Sequence, residues 1–517
     1  MDIIKNFDQL SDSVFGEGDA TLIKENDCIR ITNRSENYSS LAVHANKLLG
    51  NKQAYKSVWQ LKLPEGTPEI RIKIYNKIIF NSLDLVETAY TYSEDIILND
   101  KDWLEASLST TVPNVDDLMD FISYFYQLGG TKYDILVKKF QVEETEPEKL
   151  DERQRNIPPI TKQKKRLVGT IRWDAFTKSM PDGTSPASQV ARVLSYKEYH
   201  NQAPFFSEVN GQTVSFPEYT QEIWEKEAEY AIKGGLDYFA YLWYDFGGEM
   251  SIPRQKHLAS KNKDKIKMCG IIERIKNKQT MDDLFNAMKD SCYLRLDNRP
   301  VLFIYAFDRW KTEEINKVTQ LAKEAGIKEE LYIVGMSLAS QSYLFKVNWC
   351  KGIDAISWYS VGANKKDMPF SELKNNCEKA MEDIGNLCRQ NNIDIIPSFT
   401  TGRDTRARIR TGVSWCGGDP NATQDGDKPY SNHYALPPTD KELEDHIAFT
   451  IKYVEDNPDI TKSYMVCSYG WNEHEEGGWL CPTLAVDENN NVMRDEKGNI
   501  LPDTKRLDIL KKVVDSI

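Results

Sequence analysis

From Arg166 to the C-terminus, short apolar runs alternate with amphipathic stretches of helical period, and eight such runs can be counted: Leu167 to Trp173, Leu236 to Trp243, Ile266 to Ile272, Val301 to Phe307, Leu331 to Met336, Ala355 to Tyr359, Ile393 to Phe399 and Tyr464 to Tyr469. The third is the least strongly patterned. Helical stretches fall between most of them, notably Gln221 to Lys233, Met281 to Lys289, Glu313 to Ala325, Glu372 to Arg389 and Asp440 to Glu455, with Thr504 to Val513 closing the chain. Strands separated by helices build parallel sheets, because a parallel pair needs a long crossover. Eight such units predict an α/β fold, a (β/α)8 TIM barrel, with its functional residues at the C-terminal ends of the strands.

Residues 1–145 read differently. Ala20 to Ile23, Cys28 to Ile31, Tyr55 to Leu63 and Glu69 to Ile74 alternate with period two, and Tyr133 to Val142 makes a last strand. Turn clusters separate these runs about every eight to twelve residues, which predicts an all-β sandwich of jelly-roll type. The layout resembles the carbohydrate-binding modules attached to many glycosidases. Trp59, Trp103, Tyr90 and Tyr92 are either a sugar platform on it or its core. Residues 146–164 are rich in Glu, Lys, Arg, Gln and Pro, a composition that cannot repay the entropy of ordering, and read as a linker. The barrel then takes 165–517. A chain of 517 residues fits one barrel of roughly 250 to 350 residues plus an accessory domain.

A formal net charge of -13 argues against nucleic acid and anionic membrane surfaces, and leaves a neutral polymer as a compatible partner. Nine cysteines form no CxxC pair and no zinc spacing, so neither a disulfide framework nor a metal centre is expected, and no cofactor. The first residues, Met1 to Asp8, lack an apolar h-region, and no run reaches the length of a membrane span. The expected location is cytoplasmic, or periplasmic or extracellular if a leader has been removed. A monomer acting on an oligosaccharide or polysaccharide fits these properties.

The strand ends carry polar and aromatic residues: Trp173-Asp174, Trp243-Tyr244, Asp308, Trp358-Tyr359, Arg403-Asp404 and Trp471-Asn472-Glu473. Any one of these fits a helix cap or a buried ring with a satisfied polar tip. Six on one rim point to a binding cleft. The expected substrate contacts are Trp173, Asp174, Trp243, Tyr244, Asp308, Trp358, Tyr359, Arg403, Trp471, Asn472, His474 and Trp479. Trp243 fits a groove or rim packing equally, and Arg403 fits either a sugar contact or a salt bridge to Asp404 or Asp308. The long segment Arg406 to Pro438 reads as a lid.

The densest chemistry is Ser468 to Trp479, which follows the last apolar run directly and contains Glu473, His474, Glu475 and Glu476 between two tryptophans. Cleaving a glycosidic bond takes a pair of carboxyls, one to protonate the leaving oxygen and one to serve as nucleophile or base. In a turn-like path the side chains of Glu473 and Glu476 reach one pocket and Glu475 faces elsewhere. To donate a proton near neutral pH, Glu476 needs a raised pKa, from burial or from its acidic neighbours.

The run Trp471-Asn472-Glu473-His474-Glu475-Glu476-Gly477-Gly478 resembles the signature of glycoside hydrolase family 99 and of the related WbsX-like proteins, often labelled glycosyltransferases. Ile171 to Asp174, Ala203 to Phe206 and Gly235 to Tyr244 agree with the WbsX-like pattern. The resemblance implies a retaining endo-α-mannosidase-like enzyme, with Glu473 as base on the substrate 2-hydroxyl, which closes a 1,2-anhydro sugar, and Glu476 as general acid and then base. His474, Glu475 and Cys481 depart from the family pattern. The alternatives are a WbsX-like glycosyltransferase and a carbohydrate-binding protein without activity. A metal-dependent hydrolase would need histidines at several strand ends, and the chain has six in all.

Overall fold

The computed structural model describes residues 14–17, 19–37, 39–45, 54–82, 85–93, 95–111, 118–145, 160–161, 163–178, 183, 185–307, 310, 312–338, 352–413 and 433–517. The chain forms two compact units that part at Asp151 and Glu152.

The N-terminal unit is a sandwich of two antiparallel sheets. One runs in the order Val14–Glu17, Ser40–His44, Leu118–Gln127, Ile70–Ser82, Leu85–Tyr92, with Ile96–Leu98 also on Ile70–Ser82. The other runs Thr21–Lys24, Ile29–Thr32, Ile135–Thr145, Ala54–Lys62, Leu104–Thr111. Alternate residues such as Ile70, Ile72, Ile74 and Ile78 point into the core between them, as the period-two pattern requires. Trp59 belongs to that core: it is fully buried, packs edge-on to Phe125 and donates its indole N–H to Ser123 at 3.0 Å. Trp103 lies under the Lys138 ammonium at 5.3 Å. The side chains of Tyr90 and Tyr92 are outside the described residues.

The C-terminal unit is a closed (β/α)8 barrel. Its strands are Leu167–Arg172, Tyr238–Leu242, Lys267–Ile272, Arg299–Tyr305, Tyr332–Ser337, Ala355–Trp358, a seventh in two pieces and Met465–Tyr469, all parallel to their neighbours. The third strand pairs on both sides, with Tyr238–Leu242 and with Arg299–Tyr305. Pro397, which has no N–H to give, divides the seventh strand. Asp394–Ile395 pairs with the sixth strand and Ser398–Thr400 with the eighth, while the eighth pairs with the first, so the ring closes. Strands buried on both faces appear as unbroken apolar runs, which made them legible in the sequence. Helices Gln221–Lys233, Ile252–Ala259, Lys278–Met288, Thr312–Glu324, Phe370–Asn391, Asp440–Asp456 and Lys505–Ser516 lie between or after the strands. A capping box of Thr439 and Glu442 starts the helix after the seventh strand.

Of the expected linker, 146–159 and 162 lie outside the described residues. Thr161 and Gln163 are fastened to the barrel: Thr161 donates its N–H to Asp297 at 2.6 Å, and the Gln163 amide donates to the same carboxylate at 3.0 Å. The seven cysteines among the described residues are buried thiols. Among the described residues no helix is long and apolar enough to cross a membrane.

Candidate active site

After Tyr469 the chain leaves the eighth strand and forms a tight hairpin. Asn472–Glu473 pairs antiparallel with Gly478–Trp479, and the 3-10 turn His474–Glu476 joins them. Gly477 closes the turn at φ 80°, and a Cβ there would stand 2.3 Å from the Asp404 backbone nitrogen. Only glycine satisfies both demands. The Gly-Gly of the motif therefore lets the hairpin pack flat against the loop after the seventh strand.

The hairpin brings three carboxylates to the barrel mouth. Glu473 is 3% exposed and accepts a short hydrogen bond from the Tyr359 hydroxyl at the end of the sixth strand. Burial pushes its pKa up to about 7, the Glu475 charge adds to this, and Arg408 and the Tyr359 hydroxyl pull it back. Glu476 accepts from the Tyr469 hydroxyl and forms ion pairs with Arg403 and Arg408. Glu475 is fully buried and pairs with Arg408 at 2.8 Å. The rings of Tyr359 and Tyr469 meet at 5.5 Å, so a tyrosine pair links Glu473 to Glu476.

One expectation changes here. Glu475 does not face elsewhere, because the 3-10 turn keeps it on the same guanidinium as Glu476. The carboxyl that burial and an acidic neighbour raise is Glu473, while two guanidinium groups compensate the charge of Glu476.

A second network braces the hairpin from the first strand. Trp173 donates its backbone N–H to Asn472 at 2.8 Å and its indole N–H to Tyr244 at 3.0 Å. Asn472 donates its amide to Asp174 at 3.1 Å, and Asp174 holds Arg172 at 2.9 Å. Burial raises Asp174 above its usual range against the pull of Arg172. Arg172 also holds Glu227 at 2.9 Å, and Glu227 accepts the indole N–H of Trp471 at 2.8 Å. Apart from half-buried Tyr244, every side chain in this group is buried, and each charge has a partner, as a low-dielectric interior demands.

Trp173, Asp174, Tyr244, Tyr359, Arg403, Asn472, Glu473 and Glu476 are thus one connected set. Trp243 is buried with the Arg254 guanidinium over its ring at 4.6 Å, Trp358 is buried, and Trp471 stands behind the hairpin on Glu227. His474 is buried between Phe176 and Trp479, and burial drives its pKa down to about 3, which keeps the ring neutral. Trp479 lies under Arg506. Asp308 is outside the described residues. Sequence reasoning missed Tyr469 and Arg408. Four arginines in the eight residues from Arg403 to Arg410 were the available signal for the latter. Within the expected lid, Arg406–Thr411 is a helix and 414–432 lies outside the described residues.

Residues 261–491 match the profile of the family described as glycosyltransferase WbsX. No curated protein matches the chain. Among solved structures, the chain is similar to the GH99 endo-alpha-mannosidase from Bacteroides thetaiotaomicron, with 15% identity and a TM-score of 0.40 over 68% of this chain and 96% of that one. The complex of that enzyme with BIS-TRIS-propane gives 16% identity and a TM-score of 0.43 over the same shares. The CBM22-2 xylan-binding domain from Paenibacillus barcinonensis Xyn10C gives 16% identity and a TM-score of 0.23 over 27% of this chain and 96% of that one. The part of the chain that carries the WbsX family pattern runs from before the third barrel strand to beyond the hairpin, and includes both Glu473 and Glu476.

Proposed function

We propose that the chain is a retaining glycoside hydrolase acting on α-linked, manno-configured glycans, with Glu473 and Glu476 as its catalytic pair. The observation that carries this reading is two carboxyls on one hairpin at the mouth of a (β/α)8 barrel, each held by a tyrosine hydroxyl. The resemblance of the motif to the family 99 signature supports the assignment of roles.

Glu473 takes the proton of the substrate 2-hydroxyl. A base with a pKa near the working pH suits that step, since a weaker one would transfer the proton poorly and a stronger one would already carry it. The freed oxygen attacks C1 opposite the leaving group, forms the 1,2-anhydro sugar and breaks the glycosidic bond, while Glu476 gives its proton to the departing oxygen. Glu476 then takes a proton from water, which opens the three-membered ring at C1 with net retention, and Glu473 returns its proton to O2. An axial 2-hydroxyl suits this geometry. In the free protein Arg403 and Arg408 both hold Glu476, so substrate entry has to loosen them before Glu476 can carry the proton it donates.

The family description supports a second reading, a glycosyltransferase, in which the same carboxyls would activate an acceptor hydroxyl. Product analysis by NMR separates the two. With α-mannans and other α-linked glycans, the wild-type chain is expected to release the α-anomer first and the Glu476→Gln variant none. First release of the β-anomer would refute retention, and transfer from a sugar nucleotide without hydrolysis would favour the transferase.

A further inference from the structure

Outside the hairpin the barrel has a cavity of about 480 Å3, which neither Glu473, Tyr359, Arg408 nor Glu476 lines. Its wall is built from the segment after the first strand, the loop after the seventh, the outer side of Trp479 and the first turns of helices Asp440–Asp456 and Lys505–Ser516. All of these are at the C-terminal end of the barrel. The volume is within the range of about 300 to 1,000 Å3 typical of small-molecule sites.

The charges on this wall are engaged, although Arg506 forms no ion pair with a carboxylate among the described residues and is committed instead to the Gly477 carbonyl and the Trp479 ring. Asp404 holds Arg406 at 2.6 Å, Asp440 holds Lys505 at 2.9 Å, and Glu198 holds Arg410. The helix starts are occupied too: Thr439 and Glu442 cap one, and Asp503 accepts the Lys505 N–H at 2.9 Å in the other. An anion would have to displace these acids, and an apolar ligand would strand them. A ligand with many hydroxyls fits, because each hydroxyl can donate to a carboxylate and accept from a guanidinium without disturbing the pairing. Arg506 covers the Trp479 ring at 3.4 Å, which leaves half-buried Tyr199 as the aromatic face.

We infer that this cavity is an accessory saccharide site that holds an uncharged segment of a glycan beside the catalytic hairpin. The inference rests on the reading of the chain as a glycan-processing enzyme. The wall is also mechanically joined to the hairpin, since Arg506 donates to the Gly477 carbonyl at 3.0 Å.

The test is native affinity electrophoresis of the full chain carrying Glu473→Gln, in gels containing soluble α-mannan or α-glucan. Asn201 is exposed on the cavity rim, so Asn201→Trp blocks the site without entering the core. Asn201→Trp and Tyr199→Ala are each expected to weaken retardation by about fivefold or more, roughly 1 kcal/mol, with the melting temperature of Asn201→Trp unchanged. Equal retardation of both variants and parent overturns the inference, and so does a parent that no neutral glycan retards. Hydrolysis by the chain with Glu473 intact is measured in parallel. Product release without any effect of Asn201→Trp on retardation refutes the accessory site alone. Asn201-dependent retardation without product release refutes the hydrolase reading alone.

Discussion

Replacing Tyr359 by Phe removes one hydroxyl and little else, and it tests the base directly. That hydroxyl donates to Glu473, whose carboxyl is buried and whose pKa stands at about 7 with the bond in place. A hydrogen bond to a charged group contributes about 1.5 to 3 kcal/mol. At 1.36 kcal/mol per unit, its loss moves Glu473 upward by about one to two units, to about 8 to 9. The ionised fraction at pH 7 then falls from about a half to between about a tenth and a hundredth, so kcat/KM at pH 7 drops by about 5- to 50-fold. Since the base works ionised, activity recovers as pH rises towards 9, and the acidic limb of the profile shifts up by the same one to two units. Titration of 13C-glutamate-labelled protein by NMR, with the resonance assigned through Glu473→Gln, reads the same pKa without substrate. An unmoved limb, a downward shift, or an equal loss at every pH would refute the reasoning.

Glu473→Gln should stabilise the fold, and more so at alkaline pH. A carboxyl raised from 4.5 to about 7 favours the native state fully below 4.5, and this advantage is lost as pH rises through 7, leaving a cost of about 3 kcal/mol that Gln does not have. Urea unfolding should therefore show a larger gain for the variant at pH 8 than at pH 5, and an equal gain at both would argue against a raised pKa. Arg408→Leu strands the buried Glu475 carboxylate and frees one side of Glu476, so a loss of about 3 to 5 kcal/mol is expected in the same assay; a loss under 1 kcal/mol would show that the pair is not buried in solution. Gly477→Ala forces a Cβ onto the Asp404 backbone and should abolish activity, whereas Gly498→Ala, at a similar φ but in open space, should cost about 1 kcal/mol and leave kcat/KM intact.

The eight strands could be read from the sequence because a barrel strand is covered on both faces, and a run such as Val301 to Ile304 carries that burial in its composition. The carboxyl pair was legible through motif spacing. The facing of the strand-end aromatics was not, although the geometry of a strand contains the rule. Consecutive residues point to opposite sides, so of Trp243-Tyr244 and Trp358-Tyr359 one member of each pair has to turn away from the mouth. The tyrosines join the site, and the tryptophans are packed behind it. For Arg408 the sequence offered a cluster of arginines but not the contact that one of them makes. A cation on a short helix in a long loop finds its carboxylate only through tertiary folding, and no local period records that contact.

The hairpin that carries Glu473 and Glu476 also decides where new specificity can arise. The interval between the two acids is written into main-chain geometry, a single 3-10 turn clamped by Gly477 against Asp404, and not into adjustable side-chain rotamers. On the proposed roles, one residue gained or lost within it would separate the acid from the base. A library aimed at a different glycan should therefore leave residues 470–479, Arg403, Asp404 and Arg408 untouched and diversify the segment that follows the first strand, where Tyr199 reaches the margin of the mouth without setting that interval.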